Sequence, residues 1–392
     1  MFVFLAVLSL FSLLSFGAVR PTETYVVQIA EISAFTILVA TDVFRGRRLN
    51  LFFILFTGGV LLLMSATAVK MGLGLFAAGW SWEAARRNIG SAQKFFYFLF
   101  CIGLLEASLG LFQYFVAPGW MPGYQNTSSI SSGTLINRNH FAGVLEMIIP
   151  VSIGLAYSAS HLRQGIARAY LLLLGGVFMA FALVFSLSRT GIVSLLLTLS
   201  FMVVTVRTRI PQRRFAVMLA TVFVGLLASG TLWIGMNNVL ARYGELLDRD
   251  AVSRAGRLNL AIDTVKMIKA NPMGIGAGKY QDVFRRYQTF HSESLFEHAH
   301  NDYLETTAEW SIPVSLIFWS GVALILMLAV RAFASERASE QRGVLLACAG
   351  AIVAILIHSV TDFNLQIPSN AILFFSFLGI GLAMSPSPLG SG

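Results

Sequence analysis

Charge is scarce in this sequence: Asp, Glu, Lys and Arg make up only 12% of 392 residues, against about 25% in an ordinary soluble domain. That shortage excludes a soluble globular enzyme. Cysteine is nearly absent too, with only Cys101 and Cys348, each inside an apolar run, so no disulfide framework organises the chain. No HExxH pair occurs, and no Lys-Ser/Thr follows the one glycine-rich turn, Gly274-Ile275-Gly276-Ala277-Gly278. A zincin centre and a phosphate-loop nucleotide fold are therefore not expected. What fills the sequence instead is apolar: 56% of residues are hydrophobic, gathered in long runs of Leu, Phe, Val, Ile and Ala. These runs exclude disorder and place most of the chain in a membrane.

Runs of roughly 20 apolar residues, the length of a bilayer crossing, fall at 2–19, 25–42, 50–69, 95–117, 141–159, 169–187, 190–206, 215–236, 312–331, 343–361 and 368–385. The run Phe2–Val19 has no basic segment before it and reads as a retained span rather than a cleaved signal. The basic clusters Arg45/Arg47/Arg48, Arg86/Arg87/Lys94, Arg163/Arg168, Arg207/Arg209/Arg213/Arg214 and Arg331/Arg337/Arg342 belong on the cytoplasmic side by the positive-inside rule. Such short inter-span clusters set topology, so the net charge of +9 does not point to nucleic acid. The clusters at 45–48 and 86–94 share a side only if Met71–Ala85 crosses as well. The expected fold is thus an all-α integral membrane protein of about 12 transmembrane helices, with both termini in the cytoplasm. Parity then sends 118–139, 187–190, 237–310 and 362–367 outside. The expected organisation is an N-terminal bundle over 1–236, a partly helical loop domain over 237–310, and C-terminal helices over 311–392.

The loop 237–310 holds nine Lys/Arg and ten Asp/Glu, far above the rest of the chain. A hydrophilic loop of that length is expected to be functional. Leu258, Ile262, Val265 and Ile268 recur at helical spacing behind a possible Ser253 cap, and Asn271-Pro272 stops that helix. Tyr280, Phe284 and Tyr287, with Arg285 and Arg286 beside them, read as a helix lying on the membrane surface. Asp248-Arg249-Asp250 has a D-x-D spacing but reads as solvated charge.

The candidate chemistry sits at outer boundaries. Glu297-His298-Ala299-His300-Asn301-Asp302-Tyr303-Leu304-Glu305 precedes a span. Residues two apart on a helix face different ways, so His298 and His300 do not read as metal ligands, and no metal or cofactor is expected. An imidazole there suits a general base. Arg189, in Ser186-Leu187-Ser188-Arg189-Thr190-Gly191, lies on the side where cations are not topology signals, and Arg257 stands on the loop helix. Guanidinium groups bind phosphate oxygens bidentately, so the pair beside a histidine suggests an anionic phosphorylated ligand. Asn137-Arg138-Asn139-His140-Phe141-Ala142-Gly143 adds amides, a cation and a histidine, either as sugar-binding groups or as a capped helix start. Glu31, Glu106 and Glu146 inside spans must face protein or water and keep a transporter or lipid flippase open.

These motifs, in this order around a long outer loop, resemble the O-antigen ligase and O-antigen polymerase superfamily of bacterial membrane glycosyltransferases. The likeness runs from about Ser132 to Pro313 and rests on the 137–143 segment, the 186–191 segment, Arg257 ahead of Asn271–Gly278, and His300-Asn301-Asp302-Tyr303-Leu304. It implies transfer of a glycan from an undecaprenyl diphosphate carrier to an acceptor hydroxyl at the periplasmic face of the inner membrane. It matches His300 to the family's base and Arg189 and Arg257 to its diphosphate-contacting arginines. The remaining candidates for substrate contact are Asn137, Arg138, Asn139, His140, His298, Asn301, Tyr303, Arg285 and Arg286. Where the family often has Pro in its first motif, this chain has Arg138, and His298 competes with His300 as base. The acceptor is open: a lipid A core, a carrier-linked glycan or, as in related protein O-oligosaccharyltransferases, a protein hydroxyl. Transfer would be metal-independent and inverting.

Overall fold

The structure, a computed structural model, describes residues 1–47, 50–66, 69–121, 124–125, 131–162, 165–209, 256–290 and 296–385. It is all-α apart from one antiparallel pairing of two-residue strands, Trp120–Met121 with Tyr124–Gln125. Eight helices come first: α1 (Phe2–Leu14), α2 (Pro21–Phe44), α3 (Leu51–Ala66), α4 (Val69–Arg87), α5 (Ile89–Phe115), α6 (Arg138–Ser160), α7 (Ile166–Phe185) and α8 (Arg189–Arg209). Then come α9 over 256–270, the short α10 (Tyr280–Phe284), α11 (Asp302–Trp310), α12 (Ile312–Ser335), α13 (Ser339–His358) and α14 (Pro368–Met384).

Among the described residues, seven helices are long and apolar enough to cross a bilayer: α2, α5, α6, α7, α8, α12 and α13. Helices α1 and α14 are apolar but shorter. The expected span at 215–236, the Ser253 cap and Asp248-Arg249-Asp250 lie outside the described residues. Multi-pass membrane architecture follows, because a helix satisfies its own backbone polar groups where no water is present.

Helix α6 is the hub. Its apolar window is entirely enclosed by protein, and it packs on α5, α7, α8 and α13. Contact with α13 is backbone to backbone: a side chain at Gly154 would strike the Gly343 carbonyl, and one at Gly343 would strike that of Gly154. Small residues permit this approach, from which membrane helices draw van der Waals stability. Helix α4 packs along α14. By contrast, α2 and α12 are mostly exposed, as helices facing lipid would be. A large apolar core joins these helices.

A second, smaller core lies in the 256–308 region, built from Leu260, Met267, Ile268, Tyr280, Phe284, Ala299 and Ala308. It corrects one expectation and adds to another. The helix expected from Leu258, Ile262, Val265 and Ile268 is present as α9, with Leu258 63% and Ile262 45% exposed and Ile268 buried. The buried face also carries Leu260, Asp263, Thr264 and Met267. Asp263 accepts the Thr289 backbone N–H at 2.8 Å and Thr264 bonds the Tyr280 hydroxyl at 2.6 Å; satisfied in this way, polar groups tolerate burial. The aromatic face of α10 does not lie on a membrane surface. Tyr280 and Phe284 are buried and stacked 5.2 Å apart inside this core.

Candidate functional site

Five separated stretches of sequence meet at one end of the bundle around a cavity of about 350 Å³. Arg138, Asn139, Arg189, Arg257, His300 and Asn301 line it, with Val360 and Thr361 completing the wall.

Local structure explains each placement. Asn137, itself extended, caps α6, its side-chain oxygen accepting the Asn139 N–H at 2.9 Å, so Arg138 and Asn139 form the first turn. In Ser186-Leu187-Ser188 the Ser188 N–H donates to the Ser186 hydroxyl at 3.2 Å, and the Gly191 N–H donates to the Ser188 hydroxyl at 3.3 Å. Leu187 takes a left-handed φ of 57°, which reverses the chain so that Arg189 opens α8. Two helix N-termini thus present their first residues to the same cavity. Their partial positive charge favours an anion, and three guanidinium groups add to it.

His300 also holds a left-handed backbone, φ 48°, a conformation that costs a non-glycine residue roughly 1 to 2 kcal/mol. The segment after it maintains that shape. Asn301 caps α11 by accepting the Leu304 N–H at 2.9 Å and donates to the Val360 carbonyl at 2.8 Å. Asp302, fully buried, accepts from the Ser359 hydroxyl at 2.7 Å, while its own N–H donates to the Ser359 carbonyl at 3.0 Å. Burial pushes its carboxyl well above the ordinary carboxylate range, and the Glu305 charge adds to that rise.

The turn after α13 supplies what the sequence reading missed. Helix α13 stops at His358, short of the expected 361, and Asp362, 1% exposed, sits beneath the histidines. One Asp362 oxygen lies 3.6 Å from His300 Nδ1 and 3.9 Å from His140 Nε2; the other lies 3.9 Å from His358 Nε2. Burial opposes its ionisation, but the imidazoles of His300, His140 and His358 outweigh that and hold Asp362 well below the usual carboxylate range. His358 Nδ1 in turn meets Glu146 of α6 at 2.9 Å. Phe363 packs edge-on against His140 and His300 and face-on against His298 at 4.3 Å. The available signal for Asp362 was a carboxylate closing an apolar run, in a segment that parity of the expected spans sends outside.

Other candidates have different places. His140 is 6% exposed, behind the cavity. His298 Nδ1 pairs with Glu305 at 2.6 Å and faces a second cavity. The Tyr303 hydroxyl donates to the Leu356 carbonyl at 2.6 Å, fastening α11 to α13, and burial raises it to about 12. Arg285 and Arg286 are exposed just beyond α10 and do not line the cavity. Among the described residues, no group of three His, Cys, Asp or Glu side chains is arranged to hold a metal ion. The cavity can therefore be described as a cationic pocket with one imidazole, backed by a buried carboxylate.

Comparison with curated proteins gives no match. A family model described as O-Antigen ligase matches residues 174–319, a stretch that contains Arg189, Arg257, His298 and His300 but neither the 137–143 segment nor Asp362. Over that stretch the chain is similar to the O-antigen ligase family, and its long apolar helices are those of a multi-pass membrane protein.

Proposed function

We propose that this protein transfers a glycan from a polyprenyl diphosphate carrier, undecaprenyl diphosphate in bacteria, to an acceptor hydroxyl at the outer face of the cytoplasmic membrane. The observation that carries the reading is the convergence of Arg138, Arg189, Arg257 and His300 on one cavity. An external enzyme needs a donor that resides in the membrane, and a lipid diphosphate is a competent leaving group. The acceptor oxygen attacks the anomeric carbon as the bond from that carbon to the diphosphate oxygen breaks. The electron pair leaves with the diphosphate, where arginines and helix N-termini stabilise it without a metal. The proton goes to His300, which Asp362 positions. Displacement on the face opposite the leaving group inverts the anomeric centre.

The cavity residues come from chain positions that charge counting assigns to one side of the membrane, which supports a twelve-crossing topology. In it α1 to α8, the 215–236 segment, α12, α13 and α14 span, and 237–310 forms an outer domain. The acceptor, whether a lipid A core sugar, another carrier-linked repeat or a protein hydroxyl, follows from the assay rather than from the fold.

The test is transfer in nanodiscs and in chelator, offering undecaprenyl diphosphate glycan with each acceptor class in turn. Product from wild type, lost in His300→Ala and Arg189→Ala variants that fold normally, is the expected result. Normal transfer by either variant refutes the assignment; absence of transfer with every acceptor moves a transporter or lipid flippase to the front.

A further inference from the structure

Beyond the cationic cavity, a second one of about 300 Å³ opens on the other side of the His298-Ala299-His300 segment, a volume at the lower end for small-molecule sites. Its electrostatics are opposite. Glu297, Glu305 and Glu309 line it with His298, Trp310 and Gln366, and Lys70 is the cation on its wall. The two cavities share a partition: His298 faces one, His300 faces the other, and both pack on the Phe363 ring.

Not all of these groups are available to a ligand. Glu305 spends one oxygen on His298 and the other on the Ala299 N–H, which fixes the partition. Glu309 accepts the Tyr280 N–H through one oxygen. Gln366 differs. It is only 8% exposed, it lines the cavity, and among the described residues its side-chain amide has no hydrogen-bond partner. Its amide opens onto the cavity, where a ligand hydroxyl can supply the hydrogen-bond partner that the protein does not.

We propose that this cavity is an acceptor subsite binding an uncharged pyranose ring through the Gln366 amide, the Glu309 and Glu297 carboxylates and the Trp310 indole. The inference rests on the transfer reading and extends it to the acceptor. Carboxylates and an amide match a ring bearing hydroxyls, which donate and accept at close spacing. An indole presents an apolar face for the ring's C–H surface. The acidic wall, with Glu297 at its rim, disfavours uronate and phosphate groups, so the anionic part of the donor is directed to the arginine cavity. A sugar seated here has the Phe363 partition between it and His300, so a hydroxyl reaching past that edge meets the base.

The test reads binding without turnover. Full-length protein in nanodiscs is examined by saturation-transfer NMR with methyl glucoside, methyl galactoside, N-acetylglucosamine and glucuronate as probes. The expected result is saturation of the three neutral sugars and not of glucuronate. Gln366→Leu should weaken the neutral sugars about fivefold, the loss of one neutral hydrogen bond. Glu297→Lys, at an exposed rim position, should admit glucuronate. His300→Ala and Arg189→Ala should leave the sugar signals unchanged, so failure of the transfer reading registers separately. Equal saturation of glucuronate and neutral sugars in wild type, or neutral-sugar signals indifferent to Gln366→Leu, overturns the subsite. Where transfer is measurable, a rise in donor rather than acceptor KM for Gln366→Leu overturns its assignment to the acceptor.

Discussion

Replacing Asp362 by Asn removes one charge from the centre of the histidine cluster while retaining shape and hydrogen-bonding capacity. Asp362 lies 3.6 Å from His300 Nδ1, where a carboxylate and an imidazolium attract by roughly 4 to 5 kcal/mol at an effective dielectric of about 20. The His300 side chain is 29% exposed, so solvent screening reduces that to about 2 to 3 kcal/mol. This attraction is absent while His300 is neutral and present once it has taken the acceptor proton, so it acts on the transition state. The expected consequence is a fall in kcat of roughly a hundredfold with donor KM little changed, since Asp362 is not on the wall of the arginine cavity. The assay is initial-rate transfer in nanodiscs over a donor series, with melting and gel filtration verifying the fold. A variant within about threefold of wild type refutes the positioning role, and a large KM effect with unchanged kcat shows that Asp362 serves donor binding instead.

Three further outcomes are expected. Arg189→Lys and Arg257→Lys retain charge but lose the planar fork, so donor KM should rise about tenfold for each; steady-state kinetics at fixed ionic strength checks this, and unchanged KM reduces the arginines to point charges. Gly154→Val should lose more than about 3 kcal/mol because the new side chain meets the Gly343 backbone rather than a movable side chain, visible as aggregation in fluorescence-detected gel filtration. Burial, with the Glu305 charge nearby, raises Glu309 from 4.5 to about 7. Its contribution to stability is therefore full below about pH 4.5 and lost as pH rises through 7, by up to roughly 3 kcal/mol. Glu309→Gln should flatten that part of the melting-temperature profile, and a profile identical to wild type would contradict the assignment.

Sequence alone determined the membrane class, because scarcity of charge and the length of apolar runs have one physical solution in a bilayer, the self-satisfied helix. It also brought out Arg189, Arg257 and His300: cations away from topology-setting clusters and an imidazole at an outer boundary are conspicuous in a chain with so few polar groups. Tertiary structure decided the rest. Periodicity identified α9 as a helix but not the face it buries, since Asp263 and Thr264 become buriable only when Thr289 and Tyr280, distant in sequence, supply their hydrogen bonds. Asp362 was invisible as a functional group because its meaning lies in the adjacent His358 and in two histidines far away in the chain, His140 and His300. The sorting of His298 and His300 into separate cavities likewise depends on a left-handed backbone at His300 and on the Phe363 ring between them. Local pattern reports which groups are out of place in lipid, whereas the charges and cavities they form together arise only once the helices have packed.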